Sequence, residues 1–345
     1  MIVRFGFVAM SMQLENASPS RTMTYATFSK LGDREAAIRK LERIAGENLT
    51  STLRVLKHCR GNDIHVYRFS SKLIPLATHE ELADWDPMAA LAHSFQELGR
   101  FVRDNGIRAS FHPDHFCVFS TNRPEVLAKS ELDLNYHVSM LEAMELNELT
   151  KCNIHIGGAY GDKGASAERF IQQFGALAPR YRNRITLEND DKTFTARETL
   201  GVAEASAVPM VLDIHHHAVN DGGDGEAVLH EELWPRVLNT WQQDADKLSG
   251  LTGVTVAEIQ RQLPPKIHAS SPKSDKDPRG HAEFLELEPL LRFLRGVVGS
   301  TPRLDCMLEA KSKDEALMRL MLELRGMEAR GEGVRVIDGA TIEIE

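Results

Sequence analysis

The chain has 345 residues, 42% hydrophobic and 26% charged, and a net charge of −9. That composition describes a globular chain, and no apolar run approaches the ~20 residues needed to cross a bilayer. The acidic balance argues against nucleic-acid binding through a broadly basic surface; a metal cluster under a local basic rim would add positive charge that a residue count omits.

Met1 to Phe7 reads as a strand rather than a leader, so a cytoplasmic location is expected. Cys59, Cys117, Cys152 and Cys306 are scattered, form no C-x-x-C and read as reduced core thiols.

In chain order, one pattern recurs eight times: a short apolar strand, then a segment with helical periodicity. The first strand is Ile2 to Val8. Helix-like stretches follow from Asp33 through Ile44 and over Leu53 to Cys59. The second strand is His65 to Phe69, followed by a helix from Pro87 through Val102 that Gly106 stops. The third is Arg108 to His112, the fourth Cys152 to Ile156 and the fifth Arg184 to Glu188. The sixth begins after Pro209 and runs Val211-Leu212-Asp213-Ile214-His215-His216-His217. The least regular region follows, around Gly222 to Gly225. The seventh strand is Pro265 to Ser270 and the eighth Leu304 to Glu309, with a closing helix from Asp314 to Leu324.

Strands alternating with helices imply a parallel sheet, and eight such units imply an α/β fold with a single (β/α)8 TIM barrel. No Gly-x-Gly-x-x-Gly follows the first strand, so neither a dinucleotide fold nor a nucleotide cofactor is expected. Residues 1–325 read as the barrel domain. Residues 326–345 read as a tail packed outside it, with a short strand from about Val334.

The C-terminal ends of the strands carry the chemistry of such barrels. Here they present His112, His155, Glu188, Asp213 with His216, His268 and Glu309, and His281 lies in the loop after the seventh strand. Unpaired polar groups cost roughly 2–7 kcal/mol to bury, so strands ending this way need a use for them. Eight such side chains exceed the roughly three protein ligands of a catalytic zinc. They suit two or three divalent ions sharing the carboxylates of Glu188 and Glu309, an arrangement fit for phosphoester hydrolysis. The mixed oxygen and nitrogen donors do not choose between manganese and zinc. Lys266 lies two residues before His268 and faces the same way. Nearby dications would depress its pKa, leaving it neutral, carboxylated or turned to a phosphate.

Several stretches together resemble the ultraviolet damage endonucleases: Tyr67 to Pro75, Ser110 to Phe116, Asn153 to Gly158, Leu187 to Asp190, Asp213 to His216, Lys266 to Ser271, and His281-Ala282. The motifs occur in family order over nearly the whole chain. The resemblance implies a barrel similar to endonuclease IV, a metal site usually assigned to Mn2+, with Mg2+, Zn2+ or Co2+ as alternatives, and incision of double-stranded DNA immediately 5′ to cyclobutane pyrimidine dimers and (6-4) photoproducts, leaving a 3′ hydroxyl. It implies the same eight ligands and adds a ninth, His79. It puts Lys266 where the family has a lysine that can be carboxylated, and His115 and Phe116 where a polar residue and an aromatic wedge into the duplex. Here the pair is His-Phe where some relatives have Gln-Tyr, and Phe7 replaces a tyrosine seen in some relatives.

Glu188, Lys266 and His268 are thus the expected catalytic residues, and Arg68, Lys163 and Lys273 the expected phosphate contacts. The competing readings are an abasic-site endonuclease of the endonuclease IV type, a metal-dependent sugar isomerase, and a non-catalytic binding protein with structural metals.

Overall fold

The computed structural model of the chain describes residues 1–114 and 116–345. Eight parallel strands close into a barrel: β1 (Ile2–Val8), β2 (Val66–Arg68), β3 (Arg108–Phe111), β4 (Lys151–His155), β5 (Ile185–Glu188), β6 (Met210–Asp213), β7 (Lys266–Ala269) and, after the small hairpin of β8 (Pro272–Ser274) and β9 (Asp277–His281), β10 (Arg303–Leu308). Each pairs with the next, and β10 returns to β1 through six residue pairs from Ile2 with Arg303 to Phe7 with Leu308. The TIM-barrel fold follows from this closure.

β4, β5 and β7 alternate, and so does the start of β10. Cys152 and Ile154, Ile185 and Leu187, Ile267, and Cys306 and Leu308 are apolar and buried. Their neighbours Lys151, Asn153 and His155, Thr186 and Glu188, Lys266 and His268, and Asp305 are polar. With a side-chain period of two, the polar series shares one face. That face is the interior, because its members reach across the barrel: Lys266 of β7 donates to Ser110 of β3 at 3.1 Å, and Arg108 of β3 to Asp305 of β10 at 2.6 Å. The apolar series packs outward against the helices. Helix Ala92–Asp104 lays Phe95, Leu98 and Val102 on the barrel, and helix Leu287–Val297 lays down Leu290, Leu291 and Leu294. Their apolar stripes at helical spacing are what the chain's periodicity specifies.

The floor of the barrel is an ion-paired layer. Arg4 and Asp305 are register partners on β1 and β10, joined by two hydrogen bonds of 2.7 and 2.8 Å. Arg108 adds its bond to Asp305 and donates to the Pro264 carbonyl at 2.7 Å. Asp305 is fully buried. Burial pushes its carboxyl up, but Arg4 and Arg108 outweigh that and hold it below the usual range.

Three local outcomes depart from the expected layout. The sixth strand stops at Asp213, and His215, His216 and His217 lie on a short helix, Ile214–Val219. The cause is local: the Asp213 carboxylate accepts from the His216 backbone N–H at 2.8 Å and caps that helix. The closing helix, expected to end near Leu324, runs from Lys313 to Arg330. Beyond it, β11 (Val334–Val336) and β12 (Thr341–Ile344) form a hairpin whose β12 lies antiparallel on β1, pairing Ile2 with Glu343 and Arg4 with Thr341. β2 pairs with β1 only over Gly6 to Val8, so the first half of β1 has an open edge, which the hairpin covers. No helix among the described residues is long and apolar enough to cross a membrane.

The floor generates a stability prediction. Asp305→Asn leaves the Arg108 guanidinium buried beside a neutral amide, and breaking such a pair costs roughly 3–5 kcal/mol. Because the folded pKa is depressed, the carboxylate's contribution is complete above the unfolded value near ~4 and is lost as pH falls through the folded value. Urea unfolding should therefore show a lower midpoint for the variant at neutral pH and a smaller gap to the parent in acid.

Candidate metal centre

The site residues reach one place because they end neighbouring strands. His155, Glu188 and Asp213 are the last residues of β4, β5 and β6; His112 and Glu309 directly follow β3 and β10; His268 stands within β7. His155 is the register partner of Glu188, and Asp213 of His268. Gly157 allows the chain to leave β4 at once: its φ is +109°, and a Cβ there would stand 2.7 Å from Ser120 Oγ.

Three sets of side chains place ligand atoms within 4.8 Å of one another: His112, His155 and Glu188; Glu188, Asp213 and His216; Glu188, His268 and Glu309. Glu188 belongs to all three. Its Oε2 is 3.2 Å from His112 Nε2 and 3.0 Å from His268 Nδ1, and its Oε1 is 3.5 Å from His216 Nδ1. His268 Nδ1 is also 3.0 Å from Glu309 Oε1.

The donor set fits divalent cations on two independent observations. First, Nδ1 of His112, His155, His216 and His281 lies 2.9, 3.2, 2.9 and 2.9 Å from the backbone carbonyls of Pro113, Glu188, Asn189 and Glu309. A ring that donates through Nδ1 keeps its Nε2 lone pair free for a metal. Second, Glu188 Oε1, Asp213 Oδ2 and His268 Nε2 are buried without a hydrogen-bond partner. Leaving such groups unsatisfied is costly, and a cation satisfies carboxylate oxygens and an unprotonated ring nitrogen.

The electrostatics point the same way. Burial pushes the Glu188 carboxyl up, but the charges of His268 and His155 and the bond from His112 hold it well below the usual range. Glu309 is likewise held low, with Arg68 and then His268 outweighing burial. Burial pulls His216 down, yet Asp213 and Glu188 raise it to about 9. Burial is the main cause that lowers His112. Glu188 and Glu309 thus stay anionic and draw positive charge onto their neighbours, whereas burial pushes the Asp213 carboxyl up.

The other expected residues are placed differently. His281, the last residue of β9, stands beside the cluster, with Nδ1 3.8 Å from Glu309 Oε2 and its ring 6.1 Å from that of His216. His79 joins none of the three sets. Its Nδ1 accepts from the Glu81 backbone at 3.3 Å, capping a short helical turn, and its ring stacks 4.1 Å from Tyr25. Lys266 is 4% exposed and sits one pleat below His268, bonded to Ser110; burial first, then Arg108 and Arg68, lower its pKa to about 7.

Phe116 is 72% exposed, the most exposed large hydrophobic side chain among the described residues; His115 lies outside them. Arg68 pairs with Glu309 at the site itself. Lys163 pairs with Glu198 at 2.8 Å and Lys273 with Asp277 at 3.3 Å, exposed contacts weakened by solvent that a phosphate can displace.

Sequence reasoning missed several participants. Lys313 carries a left-handed φ of +49° next to the closing helix, half-buried within electrostatic reach of Arg68 and Glu309. Its only sequence signal was a basic residue just past the eighth strand. Asn189 holds the Asp213 backbone at both ends, donating to its carbonyl at 3.0 Å and accepting from its N–H at 2.9 Å. Of the three consecutive histidines only His216 enters the cluster; His215 and His217 line a separate cavity of about 490 Å³.

Comparison with known proteins agrees with this geometry. The family model for "UV-endonuclease UvdE" matches residues 3–343. A UV DNA damage endonuclease of Bacillus pumilus is 41% identical over 99% of this chain and 98% of its own length. One of Bacillus velezensis is 39% identical over 97% and 98%. The crystal structure of SacUVDE superposes with a TM-score of 0.74 at 25% identity, covering 94% of this chain and 99% of that one. The chain belongs to the UV-endonuclease UvdE family and is, with it, an endonuclease of UV-damaged DNA.

Proposed function

We propose that the chain incises double-stranded DNA immediately 5′ to cyclobutane pyrimidine dimers and (6-4) photoproducts, leaving a 3′ hydroxyl, with two or three divalent ions, Mn2+ first among them, held at the barrel mouth. The observation that carries this reading is the sharing of Glu188 by three ligand sets in a chain of this family. Such ions supply Lewis acidity toward the phosphate and its leaving oxygen and make water more acidic.

The protein's own groups do the rest. Glu188 would be shared among the ions, with His112 and His155, Asp213 and His216, and His268 with Glu309 as the three sets that would hold them; His281 would join at the rim. His79 reaches the site only if its capping turn rearranges. Arg68, already at Glu309, and the rim lysines Lys163 and Lys273 orient the phosphate backbone. A lesion weakens stacking, so distorting the duplex there costs less. Phe116 then fills the gap with its ring and His115 accompanies it. Lys266, with a pKa near 7, holds a substantial neutral fraction at physiological pH, the form open to carboxylation. Work on chromosomal DNA is consistent with a cytoplasmic location.

An end-labelled duplex carrying one cyclobutane dimer should be cut directly 5′ to the dimer with Mn2+ and left intact with EDTA. Cutting only at an abasic control would move the chain to the endonuclease IV chemistry, and ketose–aldose interconversion without any DNA cutting would make it an isomerase. Glu188→Gln should lose more than the ~10–100-fold that an outer partner of a metal ligand costs, with its circular dichroism unchanged. Wild-type incision by that variant would sink the bridging role. Phe116→Ala should weaken binding to dimer-containing duplex by roughly 1–3 kcal/mol without altering metal content; equal affinity would remove Phe116 from the wedge.

A further inference from the structure

Beneath the shared carboxylate lies a short polar relay. Asn153 and Thr186 are register partners on β4 and β5, two residues before the partners His155 and Glu188. All four side chains therefore face the interior, in two successive layers. Both lower residues are buried. Thr186 Oγ1 donates to Asn153 Oδ1 at 2.7 Å, and Asn153 Nδ2 donates to Glu188 Oε2.

The chemistry of the amide makes this directional. Its two ends have nearly the same shape, but one only accepts and the other only donates. A metal-binding carboxylate only accepts, so Asn153 must turn its NH2 group upward. A flipped amide would set two acceptors, Oδ1 and Oε2, against each other. The Thr186 hydroxyl, free to donate or accept, donates to Oδ1 from below and so satisfies the orientation that the Glu188 carboxylate sets. Oε2 is thereby tied down between Asn153, His112 and His268, while Oε1 is left buried and without a hydrogen-bond partner on the side of His216.

We propose that Thr186 and Asn153 form a positioning relay for the metal centre, fixing the direction in which the Glu188 carboxylate presents its two oxygens. This rests on the reading of Glu188 as a bridging ligand. Neither residue touches the substrate, so the relay acts through Glu188 alone. A hydroxyl one layer removed from any ligand thus sets metal affinity.

The test titrates metal-free protein with Mn2+ alone by calorimetry, alongside thermal unfolding of the same metal-free samples. Thr186→Val keeps the side-chain shape and removes the donor. It should bind Mn2+ about 10–100-fold more weakly, the usual cost of losing an outer partner, while its metal-free form still unfolds in one cooperative transition, at a midpoint lowered by the donor lost to buried Asn153 Oδ1. Thr186→Ser keeps the donor and should bind like the parent. Thr186→Ala removes the donor without the branched methyl groups and should repeat the loss if the valine variant does not fold. In an Asn153→Ala background, Thr186→Val should add nothing, since the relay is already cut. Binding by the valine and alanine variants within about two-fold of the parent, well under the expected loss, would overturn the relay while leaving the metal centre standing. A parent protein that takes up no Mn2+ would overturn the reading beneath it as well.

Discussion

The site depends on one carboxylate kept anionic inside a protein. Glu188 is almost fully buried, yet its pKa is held well below the ordinary value. Burial alone would favour the neutral form. What reverses it is the charge of His268 and His155 and the bond from His112, while Asn153 also donates to Oε2. Those four side chains come from β3, β4 and β7, and only barrel closure brings them to β5. Closure therefore creates the site's charge as well as its shape.

The barrel separates two uses of buried charge by height. At the floor, Asp305 meets two arginines and is closed off, so the layer is satisfied by the chain itself. At the mouth, Glu188, Asp213 and Glu309 meet Arg68 and a group of imidazoles, and Glu188 Oε1, Asp213 Oδ2 and His268 Nε2 have no hydrogen-bond partner. The middle layer of Ser110, Asn153, Thr186 and Lys266 joins them with neutral hydrogen bonds and one lysine of lowered pKa. Polar groups at the floor hold the fold, and those at the mouth are arranged for a ligand, as barrels of this architecture divide them.

Much of this was legible from the residues because strand ends are marked by chemistry. His155, Glu188 and Asp213 each close an apolar run, and the structure ends β4, β5 and β6 on them. What was not legible depended on side chains competing with the backbone. The Asp213 carboxylate turns the expected strand into a helix, and that helix lets His215 and His217 line a cavity outside the three ligand sets. Asn153 and Asn189 stood in recognised motifs, but their amide directions exist only once β4, β5 and β6 are side by side. The C-terminal hairpin has no local signal for its partner. It pairs with β1 because β2 is too short to cover that edge, a fact about a strand almost three hundred residues away.

The acidic net charge and the DNA substrate are compatible for the same reason that the mouth is built as it is. Exposed acids such as Glu198 and Asp277 hold the rim lysines Lys163 and Lys273 in weak ion pairs. These pairs are readily exchanged for phosphate contacts. Arg68 and Lys313 stand deeper, beside Glu309, where screening by solvent is smaller. Cations taken up by Glu188, Asp213 and Glu309 would turn the local field positive at the one point where the scissile phosphate must approach. With the proposed cations bound, the attraction for DNA would be local to the mouth rather than spread over the surface, which is how a chain with an excess of acids could act on a polyanion.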